Sequence, residues 1–169
     1  VGSRVRDSAK PNSLLSCWKL PCSISWISWL RERARVMRTR SFGESDADLA
    51  RPMAAGWTVA GVLGHLAFWD QRALILLEHW EKKGTAPPAN NEEDVDWMND
   101  AAKPMLLAVP PRRAAELWLS IAQAVDAKAA GFSDDLVARN AAAGTPVSLN
   151  RGAHRLDHLP DLERALQGR

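Results

Sequence analysis

The sequence predicts an all-α protein, a four-helix bundle with a short extra helix between the second and third main helices. Three observations support this fold class. Alanine, leucine, arginine and glutamate, which favour helices, are abundant. Runs of alternating β-branched residues are missing, and there is no tyrosine. Apolar residues recur at helical spacing in several long segments, and no repeat with a period of 20 to 50 residues indicates a solenoid.

The composition is typical of a globular domain with a substantial core. The chain has 169 residues, of which 46% are apolar and 25% are charged. Its net charge of +2 is small, and much of the positive excess lies in the first forty residues. Because nucleic-acid binding needs a denser basic face, neither DNA nor RNA is an expected partner. Cys17 and Cys22 fit neither a redox pair nor a zinc knuckle, so a reducing cytoplasm is the expected location.

The amino-terminal part divides into an extension, residues 1–20, and the start of the bundle domain, residues 21–169. The stretch SLLSCWKLPCSISWISWL follows basic residues, as the apolar part of a signal peptide does. Lys19 and Pro21 interrupt it, and it is too broken to span a bilayer. We therefore expect no membrane association, and we treat secretion as the minor alternative.

The first main helix is predicted over residues 24–40. Trp26, Trp29 and Leu30 begin a rough apolar stripe along it. A loop containing glycine and proline follows, because these residues interrupt regular structure.

The second main helix has the clearest pattern, within GWTVAGVLGHLAFWDQRALILLEHWEKKG. Thr58 is placed to cap its first turn, and Gly84 suits its carboxyl-terminal end. Two lysines near that end interact favourably with the negative end of the helix dipole. The apolar residues on one face are Val59, Val62, Leu63, Leu66, Ala73, Leu74, Leu77 and Trp80.

The remaining chain predicts two further main helices and the extra one. The extra helix lies within residues 92–109, where Pro104 is expected to limit or kink it. A pair of prolines opens the third main helix, residues 110–132. Residues 133–148 form a connection that is partly helical, and the last helix covers residues 150–167.

The histidines are the candidate site. His154 and His158 are four residues apart in the last helix, so their imidazoles project in the same direction and can reach one ion. Two imidazoles alone hold a divalent metal weakly, and a third ligand is normally needed. His65 is the candidate, because it lies near the edge of the apolar stripe of the second helix. His79 falls on the polar side of that helix and is expected to be exposed.

A structural interpretation of the same residues stays open on spacing alone. A single histidine such as His65 is more often a hydrogen-bonded core residue than a ligand. Two histidines at positions i and i+4 on a surface helix are commonly just two solvated side chains. A three-histidine metal site is thus one of two interpretations of the pattern.

A wider pattern includes these histidines. GWTVAGVLGHLAFWDQRALILLEHW is followed some ninety residues later by AHRLDHLPDLERAL. This arrangement resembles the DinB-like superfamily over roughly residues 24–167, in particular DinB family proteins and the mycothiol-dependent maleylpyruvate isomerase N-terminal domain. The shared motifs are a Gly-Trp-[Ser/Thr]-Val opening, a histidine eight residues after Trp57, and a late helical HxxxH.

The resemblance implies a four-helix bundle that holds a divalent metal, zinc or nickel, through His65, His154 and His158. It also implies a transferase or isomerase that acts on a small electrophile and uses a low-molecular-weight thiol such as mycothiol, bacillithiol or glutathione. The alternatives are an inert bundle that binds a metal or ligand, and a metal-dependent hydrolase. A homodimer is the expected assembly. Pro160 departs from the pattern, because a proline inside the last helix should kink it near His158.

Two carboxylates are the candidate catalytic groups. Asp157 lies beside His158, where it either orients an imidazole or faces solvent. Asp70 falls near the middle of the apolar stripe, and a carboxylate is costly to bury there unless it is paired. It is either a general base or partner of the site, or part of a buried ion pair with an arginine of a neighbouring helix.

Aromatic and polar residues near the site complete the prediction. Phe68, Trp69 and Trp97 either line a pocket or belong to the core. Asn99 and Asp100, in the extra helix, are candidates for the mouth of that pocket.

Overall fold

The computed structural model describes residues 45–87 and 91–167. These residues form six α-helices and one short 3₁₀ turn, with no β-strand among them, which confirms the all-α prediction. The predicted extension, residues 1–20, and the predicted first helix, residues 24–40, lie outside the described residues.

In chain order the helices are α1 (Asp46–Leu49), α2 (Val59–Lys83), α3 (Glu92–Leu107), α4 (Pro111–Ala130), α5 (Asp134–Ala142) and α6 (Arg151–Gln167). The longest is α2. It packs against α4 along much of its length and also contacts α3 and α6.

Both ends of α2 are as the sequence predicts. The Thr58 hydroxyl accepts a hydrogen bond from the backbone N–H of Gly61 at 3.0 Å, which satisfies a donor of the first turn. At the other end Gly84 adopts φ of 71°, in the left-handed region that favours glycine, and its N–H donates to the carbonyl of Trp80.

The two internal prolines do not end their helices. Pro104 lies inside α3, which is 16 residues long and begins with a capping box between Asn91 and Asp94. Pro160 lies inside α6, and that helix continues beyond it for seven residues, to Gln167. Each proline removes one backbone hydrogen bond, but the helix is maintained on both sides. His158 therefore lies in the same helix as His154 rather than in a separate segment.

The core consists of two apolar clusters that follow one another along α2. Both contain buried side chains from α2 and α4. The first cluster includes Leu49, Leu63, Leu66, Trp118 and Leu162. The second includes Leu77, Trp80, Val125, Phe132 and Val147. Asp70 lies on α2 between these two apolar stretches and is fully buried.

The connection between α5 and α6 is held by a buried asparagine. The side chain of Asn140 donates to the carbonyl of Val147 and accepts from its N–H, at 3.0 and 3.2 Å. The Asn140 carbonyl accepts from the N–H of Thr145. These three bonds fix the backbone of residues 144–148 beside the start of α6.

None of the helices in the two described ranges is long and apolar enough to cross a membrane.

Candidate metal centre

The three predicted histidines converge. His65 on α2 and His154 and His158 on α6 each present a ring nitrogen, and these nitrogens all lie within 4.8 Å of one another. The ring centroids are 5.4 Å apart for His65 and His154, and 5.1 Å apart for His65 and His158. We refer to these three residues as the histidine cluster. Such a group could hold one metal ion.

The convergence follows from the packing of α6 against α2. His154 and His158 are one turn apart on α6, with ring centroids 5.1 Å apart. Because α6 is continuous through Pro160, both imidazoles point from one face of one helix toward α2. His65 meets them from the opposite side.

His65 is a buried imidazole surrounded by rings. Its side chain is 8% exposed, and Trp57 and Trp69 approach it edge to face, at centroid distances of 5.8 and 6.4 Å. Within the described residues it makes no hydrogen bond. This ring therefore differs from the hydrogen-bonded core histidine that was the structural alternative.

Burial keeps two of the imidazoles neutral. The pKa of His65 is lowered from 6.5 to about 4, chiefly by burial and then by the nearby positive charges of His158 and Arg151. Burial likewise lowers the pKa of His154 to about 3, with Arg151 as the next cause. A neutral imidazole has a lone pair for a metal, so both residues are in the ligand form at pH 7.

A second buried polar group adjoins the first, and we call it the ion-pair cluster: Asp70, Arg151, Arg155 and Asp126. Asp70 accepts hydrogen bonds from Nε of Arg151 at 2.8 Å and from Nε of Arg155 at 3.0 Å. Arg155 also donates from Nη1 to Asp126 at 2.8 Å. Asp70 is therefore in the buried ion pair that the sequence analysis gave as its structural alternative, and its catalytic role stays a prediction.

Arg151 joins the two clusters. Its Nη2 lies 3.0 Å from Nδ1 of His154. A guanidinium can only donate, so Nδ1 of His154 is the acceptor. Through Arg151 the buried carboxylate of Asp70 fixes the orientation of one histidine.

The other predicted residues are spread around the site. Asp157 is exposed and makes no hydrogen bond or ion pair with the described part of the chain, so its catalytic role also stays a prediction. His79 is exposed, as predicted. Asn99 accepts a hydrogen bond from the indole N–H of Trp69 at 2.9 Å, which connects α3 to the ring beside His65.

Three of the aromatic and polar candidates do not reach the histidine cluster. Phe68 lines an apolar cavity between α2, α3 and α4 instead. Trp97 is 57% exposed, and Asp100 is also exposed. Among the three aromatic candidates, Trp69 is the one whose ring contacts a histidine.

Arg151, Arg155 and Asp126 were not predicted as site residues from the sequence. Arg151 and Arg155 are four residues apart on α6, which places them on one face, next to the HxxxH pair. This spacing, together with a carboxylate in the apolar stripe of α2, was the feature of the sequence that could have predicted the ion-pair cluster. Which arginine pairs with Asp70 depends on how α6 docks.

Comparison with known protein families assigns the chain to one of them. Residues 29–158 match the family described as the mycothiol maleylpyruvate isomerase N-terminal domain. The chain belongs to this family. The match spans more than half of the chain and includes all three histidines, and it confirms the resemblance to the DinB-like superfamily. No curated protein and no solved structure matches the chain.

Proposed function

We propose that this protein is a divalent-metal-dependent enzyme that transfers or isomerises a small electrophile with the help of a low-molecular-weight thiol. His65, His154 and His158 are the proposed metal ligands, with zinc or nickel as the ion. The observation that carries the proposal is the convergence of three imidazoles, one of them buried without a hydrogen bond in the described structure. Membership of the mycothiol-related family supports the thiol.

The donor set fits a metal. Neutral imidazoles are common ligands of zinc and nickel, and three protein ligands leave a position open, as in catalytic rather than structural sites. A divalent ion supplies Lewis acidity when it is bound, which favours the deprotonated form of a thiol at neutral pH.

The residues around the ligands have separate roles in this proposal. Trp57 and Trp69 cover His65 and limit the access of water to it. Asp70 is a positioning residue, because it holds Arg151, which orients His154 in the metal-free protein. Asp157, exposed beside His158, is the proposed base for substrates that approach from solvent.

The proposed cellular location follows from the proposed use of a thiol. Low-molecular-weight thiols are kept reduced in the cytoplasm, so we propose that the protein acts there. We propose a homodimer as its assembly.

The first experiment tests the metal site. Purified wild-type protein should contain about one zinc or nickel ion per chain by elemental analysis, and His154→Ala should contain none, because two imidazoles bind weakly. His79→Ala is the matched control and should keep the wild-type content. Equal metal content in wild type and His154→Ala would contradict the proposal.

The second experiment tests the activity. Metal-loaded protein is incubated with an electrophile and mycothiol, bacillithiol or glutathione, and the loss of free thiol is measured. Turnover by wild type and none by His154→Ala is the expected result. Metal binding without turnover of any thiol would instead support the inert metal-binding bundle.

A further inference from the structure

Each indole ring beside His65 is held by a side chain of α3. The N–H of Trp69 donates to Oδ1 of Asn99 at 2.9 Å, and an indole nitrogen can only donate. Nζ of Lys103 lies 5.0 Å from the ring centroid of Trp57, which is a cation–π contact. Asn99 and Lys103 are four residues apart, so one face of α3 makes both contacts.

Lys103 also holds the turn that leads into Trp57. Its ammonium donates to the carbonyl of Ala55 at 2.6 Å. Ala55 has φ of 55° and Gly56 has φ of 73°, so this turn enters the left-handed region twice. For alanine that conformation is unfavourable and persists only where the surrounding contacts impose it. Lys103 supplies one such contact, and the N–H of Met53, which donates to the carbonyl of Trp57 at 2.7 Å, supplies another.

α3 reaches this region because α2 has two glycines there. A Cβ at Gly61 would lie 2.7 Å from Cδ2 of Leu107 and 3.2 Å from the Trp57 ring, both closer than ordinary van der Waals contact. A Cβ at Gly64 would lie 3.5 Å from another side chain of α3. Gly64 directly precedes His65, and Gly61 is about one turn earlier. α3 therefore docks on the turn of α2 that presents the buried histidine.

α3 contributes little to the apolar core. Ala102 is the one buried residue among its 16. Asn99 and Lys103 are partly buried, and their polar groups contact the tryptophans beside the histidine cluster. Because a helix that buries little apolar surface gains little from packing alone, these two contacts are a substantial part of what α3 contributes here.

We propose that Asn99 and Lys103 are positioning residues of the metal site. They hold the two indoles against His65 and thereby slow the release of the bound ion. The inference rests on the proposed function and extends it to α3, which carries none of the proposed ligands. An indole that keeps its contact with α3 stays beside the imidazole, whereas a ring that has lost it can change rotamer. The apolar shell around a metal site controls the access of solvent, and water that reaches the ion competes with its ligands.

The first test measures the release of zinc. Zinc-loaded protein is mixed with a large excess of a colorimetric chelator, and the rate at which the zinc–chelator complex forms is followed. Asn99→Leu removes the acceptor of the Trp69 N–H, and Lys103→Met keeps an apolar stem but removes the cation. The double variant should release zinc about tenfold faster than wild type, as expected when the groups that support a metal site are lost. Each single variant should lie between the two.

Conservative variants separate positioning from a general loss of stability. Asn99→Asp keeps an acceptor for the indole N–H, and Lys103→Arg keeps a cation that stacks on an aromatic ring. Both should release zinc at close to the wild-type rate. Asp96→Leu changes an exposed position of α3, and Lys82→Met removes an exposed cation of α2. These two controls should also match wild type.

A second test reports on the surroundings of the ion. Cobalt replaces zinc, because the visible absorption of cobalt depends on the number and arrangement of its ligands. The bands of the double variant should be weaker than those of wild type, since added water ligands weaken them. A loss of stability alone leaves the spectrum of the loaded, folded protein unchanged, and circular dichroism checks that each variant is folded.

The outcomes distinguish this inference from the proposed function. If wild type holds zinc and the double variant releases it at the wild-type rate, the inference is wrong and the metal site stands. Equally fast release from the conservative variants or from Asp96→Leu would also overturn it, because the named contacts would not be the cause. Where the double variant does not fold, the single variants decide by the same criteria. If wild type retains no metal, the proposed function fails, and the inference fails with it.

Discussion

The histidine cluster and the ion-pair cluster are neighbouring polar groups that differ in how far their side chains are hydrogen-bonded within the chain. Both lie where α6 packs on α2, with Asp126 of α4 also part of the ion-pair cluster, and Arg151 contacts both. In the ion-pair cluster each oxygen of Asp70 accepts from an arginine, and Arg155 is also held by Asp126. In the histidine cluster, His65 has no hydrogen bond within the described part of the chain.

The difference separates a structural polar group from a binding site. Burying charge or polarity is unfavourable unless partners replace water. The ion-pair cluster supplies those partners from within the chain, so it contributes to holding α6 on α2. In the histidine cluster the ring of His65 receives no such partner from the described residues, and we propose that a metal ion binds there.

The largest effect is expected from breaking the ion-pair cluster. Asp70→Ala leaves two buried arginines without their shared carboxylate, and it should reduce the free energy of unfolding by about 3–5 kcal/mol. Urea denaturation followed by circular dichroism measures this. Asp161→Ala removes the carboxylate of an exposed pair with Arg164 and should change it by about 1 kcal/mol or less. Similar values for the two variants would remove the distinction between the clusters.

Binding of a metal ion to the histidine cluster should increase the free energy of unfolding by a similar amount. At a metal concentration about a thousandfold above the dissociation constant, binding to the folded state adds about 4 kcal/mol. Thermal unfolding with metal and with a chelator measures the difference. It should disappear in His65→Ala and persist in His79→Ala. A metal-dependent shift that survives in His65→Ala would show that the ion binds elsewhere.

Acid should destabilise the metal-free histidine cluster. The pKa of His65, about 4, and that of His154, about 3, lie below the ordinary value of 6.5. The unfolded chain therefore binds protons that the folded chain does not, and stability falls as pH drops below about 6.5, with no contribution above it. For His65 alone the loss reaches about 3 kcal/mol by pH 4.

Unfolding by urea at several pH values, with chelator present, tests this. His65→Gln should show a shallower loss of stability between pH 6.5 and pH 4 than wild type. His79→Gln, which changes an exposed histidine, should keep the wild-type dependence. If His65→Gln and wild type lose stability in parallel, His65 is protonated as easily in the folded protein as in the unfolded chain.

The smallest effect is expected away from both clusters, at the start of α2. Thr58→Ala removes the hydrogen bond to the Gly61 N–H and should reduce the free energy of unfolding by about 1 kcal/mol. Thr58→Ser keeps the hydroxyl and should be close to wild type. Neither should change the metal content. A loss of metal in Thr58→Ala alone would show that the cap also positions His65.

The sequence by itself determined α2, α3, α4 and α6 and the pairing of two histidines, whereas α1 lies in a stretch predicted as a loop. Apolar spacing, Thr58 and Gly84 define α2 locally, because caps and periodicity depend on residues within a few turns. His154 and His158 share a face for the same reason. His65 was a candidate from its place near the apolar stripe of α2, and the family resemblance favoured it.

Only the tertiary structure decided which side chains those residues contact. The distance from His65 to the last helix depends on how α6 packs on α2, and no local pattern contains it. The same docking selected Arg151 and Arg155 as partners of Asp70, and only the structure shows that α6 is continuous through Pro160. Side chains far apart in the chain approach one another through the packing of whole helices. That packing depends on the total buried surface rather than on any short stretch of residues.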